Sequence, residues 1–483
     1  MTFALGLSVL VATLGGTLLV RRIWSRTDVA FSWPLTISLG IGLGAGMSSV
    51  LLFTWLLAAG PSRGFVLAEV GLLVVSLWIS GKAAPARDSI FWPAQRPPAG
   101  ALTLLLGAAF LVALVSAAAA FVGTLRQHPH GEWDAWMNWD LRARMIFRGG
   151  EHWKAAFSTT FPWSHPDYPV LVPSLVVRSW LYTGRETLLG PAIVAATFTF
   201  GTVALLVTAL AALRSPAQGL LAGLMLVSTP FFIDHGTSLY ADVPLGFFFL
   251  ATFVCLALDA RSGTPDHRFA VLAGLAAGMG MWTKNEGLLF ALAVIAGLLV
   301  TGSRERSGRS RRLLAFGAGL LPLLLLVFSF KAAFAPANDL LSTLGLDRTF
   351  ARLGAPERYT LVIRQYAEHI VRFGTNAFGS AAIPLAACLV GLGVRRRTGG
   401  RSWARAGLAA LILLLAGHYL VFVTMADELA RLLASSLDRL LLQIYPSLLF
   451  LCFAVLRTPE EVHAEAASLT PPRERTPMLR VYP

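Results

Sequence analysis

The residues best suited to chemistry lie in the run Gly131-Glu132-Trp133-Asp134-Ala135-Trp136 and just after it. Glu132 and Asp134 are set among tryptophans, and Asp140 follows within the same run. A carboxylate held near cations can take a proton from an acceptor hydroxyl, while lysine and arginine stabilise charge on a departing phosphate. The partners for such a step lie far off in sequence. FIDHGTSLYADVP (232–244) carries Asp234, His235 and Asp242, WTKNEG (282–287) carries Lys284 and Glu286, and SLDRLLLQIYP (436–446) carries Asp438 and Arg439. SHPDYP (164–169) adds His165 and Asp167, and Arg142 joins Lys284 and Arg439 as a candidate phosphate-binding cation.

Each residue also has a blander reading. Asp134 and Asp242 suit helix N-caps, and the tryptophans suit an aromatic belt. Lys284 and Glu286 suit a mutual ion pair, and Arg439 an arginine snorkelling to a membrane surface. From the Glu132–Trp136 run alone the two readings balance. The catalytic one gains if these groups meet on one face of a membrane protein, where ionisable side chains mark function by default.

The elements that must bring them together are membrane helices. Of 483 residues, 55% are hydrophobic and 14% charged, and the mean hydropathy is +0.65. A soluble domain carries about 25% charge. Long unbroken apolar runs exclude a membrane β-barrel, whose strands alternate. The expected class is therefore all-α and polytopic. Spans are predicted near 3–20, 34–58, 64–80, 101–123, 190–213, 217–232, 242–260, 268–282, 287–303, 313–333, 376–394, 404–424 and 437–456, about thirteen in all. The first lacks preceding basic residues and is followed by Arg21-Arg22, which marks a retained span rather than a signal peptide.

A net charge of +14 and a pI near 10.5 would suggest nucleic acid in a soluble protein. Here the basic residues sit in short connectors, as the positive-inside bias requires, and nucleic acid is set aside. Residues 304–312 and 395–405 each hold five arginines. With 21–26, 81–100 and the tail from Arg457 they fall on one side, expected to be cytoplasmic. Alternation then puts 124–189, 233–241, 283–286, 334–375 and 425–436 outside, with the N-terminus outside and the C-terminus inside. A bacterial inner membrane is the expected location.

The stretch 168–183 is apolar but broken by Pro169 and Pro173 and carries Arg178, so it reads as a half-inserted or interfacial helix. Residues 135–148 suit an amphipathic interfacial helix, with Trp136, Trp139, Ala143 and Ile146 on one stripe and Asp140 paired to Arg144. Residues 302–312 read as a flexible loop, and 457–483 as a disordered tail. Cys255, Cys388 and Cys452 lie in apolar runs and suit neither zinc nor a disulfide framework. The chain divides into N-terminal helices (1–123), a module with the acidic loop (124–300), C-terminal helices with the outer loop 334–375 (301–456) and the tail (457–483).

Four passages resemble the integral-membrane glycosyltransferases of the C-type fold, and most of all the group of protein O-mannosyltransferases and lipid A aminoarabinose transferases (family 39-like). They are WDAWMNWDLRARMIFRGG (133–150), SHPDYPVLVP (164–173), STPFFIDHGTSLYADVPLGFFF (228–249) and GLAAGMGMWTKNEGLLF (274–290). The resemblance implies a polyprenyl-phosphate-linked sugar as donor and inversion at the anomeric carbon. It implies Asp134 as the loop base with Glu132 as alternate, Asp242 as the acid of the second outer loop, and Lys284 near the donor phosphate. The chain departs from the pattern in two ways: Asp167-Tyr168 breaks the proline pair, and three spans precede the usual first one. No cofactor is expected; some C-type enzymes use a divalent metal, which the sequence does not settle. The acceptor stays open among a lipid, a glycan and a protein. The competing readings are a transporter or flippase for a lipid-linked saccharide and an accessory scaffold. A transporter predicts charges along a path and related halves, and no such halves are visible.

Overall fold

The computed structural model describes residues 1–24, 32–81, 100–262, 266–301, 306–337, 346–375, 379–395, 402–424 and 429–469. Predicted stretches outside these ranges, including most of 81–100 and the end of the tail, lie outside the described residues.

The described chain is helical throughout. The helices are α1 (Thr2–Trp24), α2 (Trp33–Ala59), α3 (Gly64–Gly81), α4 (Ala101–Gln127), α5 (Asp140–Arg148), α6 (Leu171–Thr183) and α7 (Leu189–Leu213). They continue as α8 (Pro216–Val227), α9 (Pro230–Thr237), α10 (Asp242–Ser262), α11 (Arg268–Thr283), α12 (Glu286–Thr301) and α13 (Arg306–Ala333). The last six are α14 (Leu346–Leu353), α15 (Pro356–Arg372), α16 (Ala382–Leu392), α17 (Ser402–Thr424), α18 (Leu429–Val455) and α19 (Pro459–Leu469). With no water in a bilayer core, a helix is the form that satisfies its own backbone, and these apolar runs adopt it.

Among the described residues, eight helices are long and apolar enough to cross a membrane. A ninth forms if the bent pair α8–α9 counts as one span; the two meet at 64°. Pro230 starts α9 and cannot donate a backbone bond, so the helix ends at Val227 and restarts. The other four predicted spans fold as helices of 18, 16, 16 and 11 residues (α3, α11, α12, α16).

Helix α10 is the axis of the molecule: every residue from Asp242 to Leu258 is buried, and Asp259 with them. Glycines let neighbours come close. A Cβ on Gly274 of α11 would stand 1.9 Å from the Phe316 carbonyl oxygen of α13, so the glycine-rich passage is a packing surface. The two ends of α10, about 30 Å apart at 1.5 Å per residue, differ in chemistry. At its C-terminal end Asp259 binds Arg312 at 2.8 Å and His267 at 3.0 Å. At its N-terminal end lies Asp242.

Several expectations are corrected. Helix α6 does not lie at a surface: Leu171 to Tyr182 are all buried in protein. Its Arg178 can sit there because Glu69 of α3 holds it at 2.9 Å, with the Ser8 carbonyl at 2.6 Å. Tyr182 donates to the same carboxylate at 2.7 Å. The amphipathic stripe at Trp139, Ala143 and Ile146 is buried in the protein core rather than in headgroups, and Trp136 is 40% exposed. Arg144 turns to Glu186, 3.9 Å away, and leaves Asp140 without an ion pair.

The basic loop is ordered from Arg306, where α13 begins, because Arg309 caps the Leu299 carbonyl and Arg312 meets Asp259. The tail forms α19, and Glu461 ties it to Arg214 at 3.5 Å and Arg395 at 3.3 Å. The predicted last span, 437–456, lies on α18, which the described residues show from Leu429.

Candidate functional site

Asp242 opens α10 fully buried, and its carboxylate does not serve as a cap. Oδ1 accepts from Lys284 Nζ at 3.0 Å and from Gln443 Nε2 at 2.6 Å. Oδ2 accepts from Arg439 through Nη2 at 2.9 Å and Nε at 3.1 Å. An ionised group this deep is tolerated only when paired and hydrogen-bonded. Four elements therefore converge here: the α9–α10 turn, the α11–α12 break, α18 and the acidic loop.

The loop joins through Arg439, whose Nη2 also stands 2.8 Å from Asp134 Oδ2. Asp134 is 27% exposed and makes no side-chain capping bond to the π-helical turn Ala135–Trp139 that follows it. Tyr240 fixes the arrangement: its hydroxyl accepts the Asp134 amide at 3.2 Å, and its ring lies 4.6 Å beneath the Arg439 guanidinium. The capping reading of Asp134 and the snorkelling reading of Arg439 therefore both give way.

Lys284 sits where α11 stops, in extended backbone (φ −149°, ψ 160°) that points it inward. The predicted pair with Glu286 forms, at 2.8 Å, beside the bond to Asp242. Burial by itself would lower its pKa, but the Asp242 and Glu286 carboxylates outweigh that and hold the ammonium above its ordinary range.

A second group adjoins. Asp167 accepts from Asn285, the residue after Lys284, at 2.8 Å, and Lys331 of α13 lies 3.7 Å away. Lys331 also donates to the Asp167 carbonyl at 2.6 Å and to Asn285 Oδ1 at 2.7 Å. Arg142 is fully buried and donates to the Tyr168 carbonyl at 2.6 Å. Burial lowers its pKa to about 10, opposed by Asp167 and Tyr168, so it stays charged at neutral pH. The His165 ring rests 5.3 Å from that of Tyr168.

Asp134, Arg439, Asp242, Lys284 and Glu286 thus form one chain of ion pairs, with Asp167, Arg142 and His165 beside it. Glu132 stays apart: it is exposed, and its amide donates to the Ser238 carbonyl at 3.2 Å. Asp140 is also apart, buried on α5; burial raises its pKa to about 7, opposed by Arg144. Gln443, Asn285, Lys331 and Tyr240 were not singled out from sequence. Gln443 follows Arg439 by one helical turn, and Lys331 is a lone cation closing an apolar run; both signals were readable. Among the described residues, no group of three or more His, Cys, Asp or Glu side chains could hold a metal ion.

Residues 174–330 match a family model described as dolichyl-phosphate-mannose-protein mannosyltransferase. The match covers about a third of the 483 residues, from α6 into α13. It includes Asp242, Lys284 and Glu286 and leaves out Asp134 and Arg439. It supports a membrane glycosyltransferase of the C type, the group that the sequence passages resemble. No curated protein and no solved structure matches the chain.

Proposed function

We propose that this membrane glycosyltransferase moves a sugar from a polyprenyl-phosphate donor to an acceptor hydroxyl on the extracytoplasmic side, with Asp134 as general base. The observation that carries the reading is the Arg439 guanidinium, within 3 Å of both the rim carboxylate Asp134 and the buried Asp242. A base and cations able to hold a phosphate thus share one site. The side of the membrane is supported by the basic connectors Arg214, Arg261, Arg312, Arg395 and Arg457, which gather at the opposite end of the helices.

In this reading the donor phosphate competes for Arg439 and frees the Asp134 carboxylate. Asp134 takes the proton from the acceptor hydroxyl, and the acceptor oxygen bonds to the anomeric carbon from the face opposite the phosphate. The bond from that carbon to the phosphate oxygen breaks, and its electron pair stays on the phosphate. Lys284 and Arg439 stabilise the charge released, which in a dry site is the largest contribution to rate. Inversion follows from the single displacement. Arg142 and Lys331 extend the cationic wall, while Asp167 fixes Lys331. The test is transfer by the purified protein from a lipid-linked sugar, compared with Asp134→Asn; full transfer in the variant would remove Asp134 from the reaction.

A further inference from the structure

The charged groups of the site neutralise one another, yet four polar side chains around the Asp242–Lys284 pair have atoms with no partner among the described residues. They are Gln443 Oε1, Glu286 Oε2, His235 Nε2 and both ring nitrogens of His418. Gln443 is 0% and His418 5% exposed. His235 Nε2 points toward Asp242 but stops at 3.9 Å, beyond hydrogen-bond reach. His418, on α17, follows Gly417, which packs directly on the Leu289 side chain, about one turn along α12 from Glu286. A buried polar atom without a partner is costly, and one such atom in a native core calls for an explanation. Four side chains around one ion pair point to a ligand.

The chemistry of the unpaired atoms narrows that ligand. Gln443 Oε1 and Glu286 Oε2 can only accept, and a neutral imidazole offers one donor and one acceptor. An ionised phosphate is acceptor-only and cannot satisfy these two acceptors. A hydroxyl donates once and accepts twice, so several hydroxyls on one ring suit the set. The group lies below the rim cations, since the Arg439 side chain is 21% and the Lys331 side chain 29% exposed, and it surrounds Lys284, which is 4% exposed. Glu286, 18% exposed, links the two levels.

We propose that Glu286, Gln443, His235 and His418 form the subsite that reads the sugar hydroxyls of the donor, around Lys284 and beneath Arg439. The proposal rests on the lipid-phosphate-linked donor and adds where the sugar is recognised. His418 is the cleanest probe because its ring nitrogens have no partner among the described residues.

The full-length protein in lipid nanodiscs is titrated with polyprenyl phosphate and with polyprenyl-phosphate esters of several hexoses and amino sugars. In the wild type, one sugar ester binds about tenfold or more tighter than the bare phosphate, the scale of one or two good hydrogen bonds. In His418→Leu that margin collapses, the bare lipid binds as before, and the thermal midpoint is equal or higher because an unpaired polar group has left the core. His418→Asn, which keeps a donor and an acceptor, retains part of the margin. An undiminished margin in His418→Leu shows that the unpaired atoms hold only water and overturns the subsite. So does a wild type with no preference for any sugar ester over bare polyprenyl phosphate. Failure of the wild type to bind any of these lipids overturns the underlying donor reading instead.

Discussion

Arg439 donates to Asp134 across 2.8 Å, although the two residues lie on opposite sides of the 174–330 match. The same nitrogen reaches Asp242 at 2.9 Å. One guanidinium therefore couples the acidic outer loop to the buried end of the central helix. A change at the rim must alter the electrostatics of the core, and the reverse.

Asp134→Asn is expected to lower transfer by about 100-fold or more, the usual scale for losing a general base. The carboxylate is 27% exposed, so its pair with Arg439 contributes about 1 kcal/mol or less, and the fold should persist. Turnover and thermal midpoint, measured on the same preparation, separate the two effects. Retained turnover would sink the base assignment.

Glu132→Gln should change turnover by no more than about threefold, because surface changes away from partners are close to neutral. The side chain is exposed and forms no ion pair among the described residues. A loss as large as that of Asp134→Asn would make Glu132 the base instead.

Lys284→Ala strips a buried partner from Asp242. Removing one member of a buried pair costs roughly 3–5 kcal/mol. The thermal midpoint should fall steeply and the donor KM rise. Adding Asp242→Asn should recover part of the midpoint without restoring donor use. Additive losses in the double variant would show that the two residues are not coupled.

Asp140 predicts a pH dependence. Burial raises its folded pKa to about 7 from an ordinary 3.8, so the folded state binds more protons between those values. Stability must then fall as pH rises from 4 to 7 and level off above, by a few kcal/mol at order of magnitude. Asp140→Asn should flatten that slope and raise the midpoint at pH 8. An unchanged slope, read by thermal unfolding from pH 4 to 8, would show that the carboxyl is not buried in the working protein.

Topology can be tested independently. In a variant lacking the native cysteines, a cysteine at His130 should react with an impermeant maleimide on intact cells. One at Gly308 should react only after the membrane is opened. Labelling of position 308 from outside would reverse the orientation and move the site to the cytoplasm.

The sequence marked the ionisable residues that the structure gathers and showed that membrane helices carry them, because apolar length and basic connectors are local signals. Apart from the neighbouring pair Lys284–Glu286, it did not reveal who pairs with whom. Arg439 reads as a snorkelling residue when only its own helix is considered; its partner Asp242 is 197 positions away. Gln443 and Lys331 carry a readable local signal, a polar residue in or closing a span, but their partners are known only once the facing helix is. Helix α6 looked interfacial because Arg178 appeared alone, and Glu69, its partner, is 109 positions earlier.

That last pair sets an order of events. Glu69 and Arg178 are 6% and 4% exposed as side chains, and each is the other's opposite charge within the helices. During synthesis α3 is made first, and 109 further residues must follow before Arg178 exists. At 5–20 residues per second, Glu69 waits for roughly ten seconds with its charge uncompensated. Until then α3 is an unfinished guest of the insertion machinery, and α6 is the segment whose arrival lets it stay.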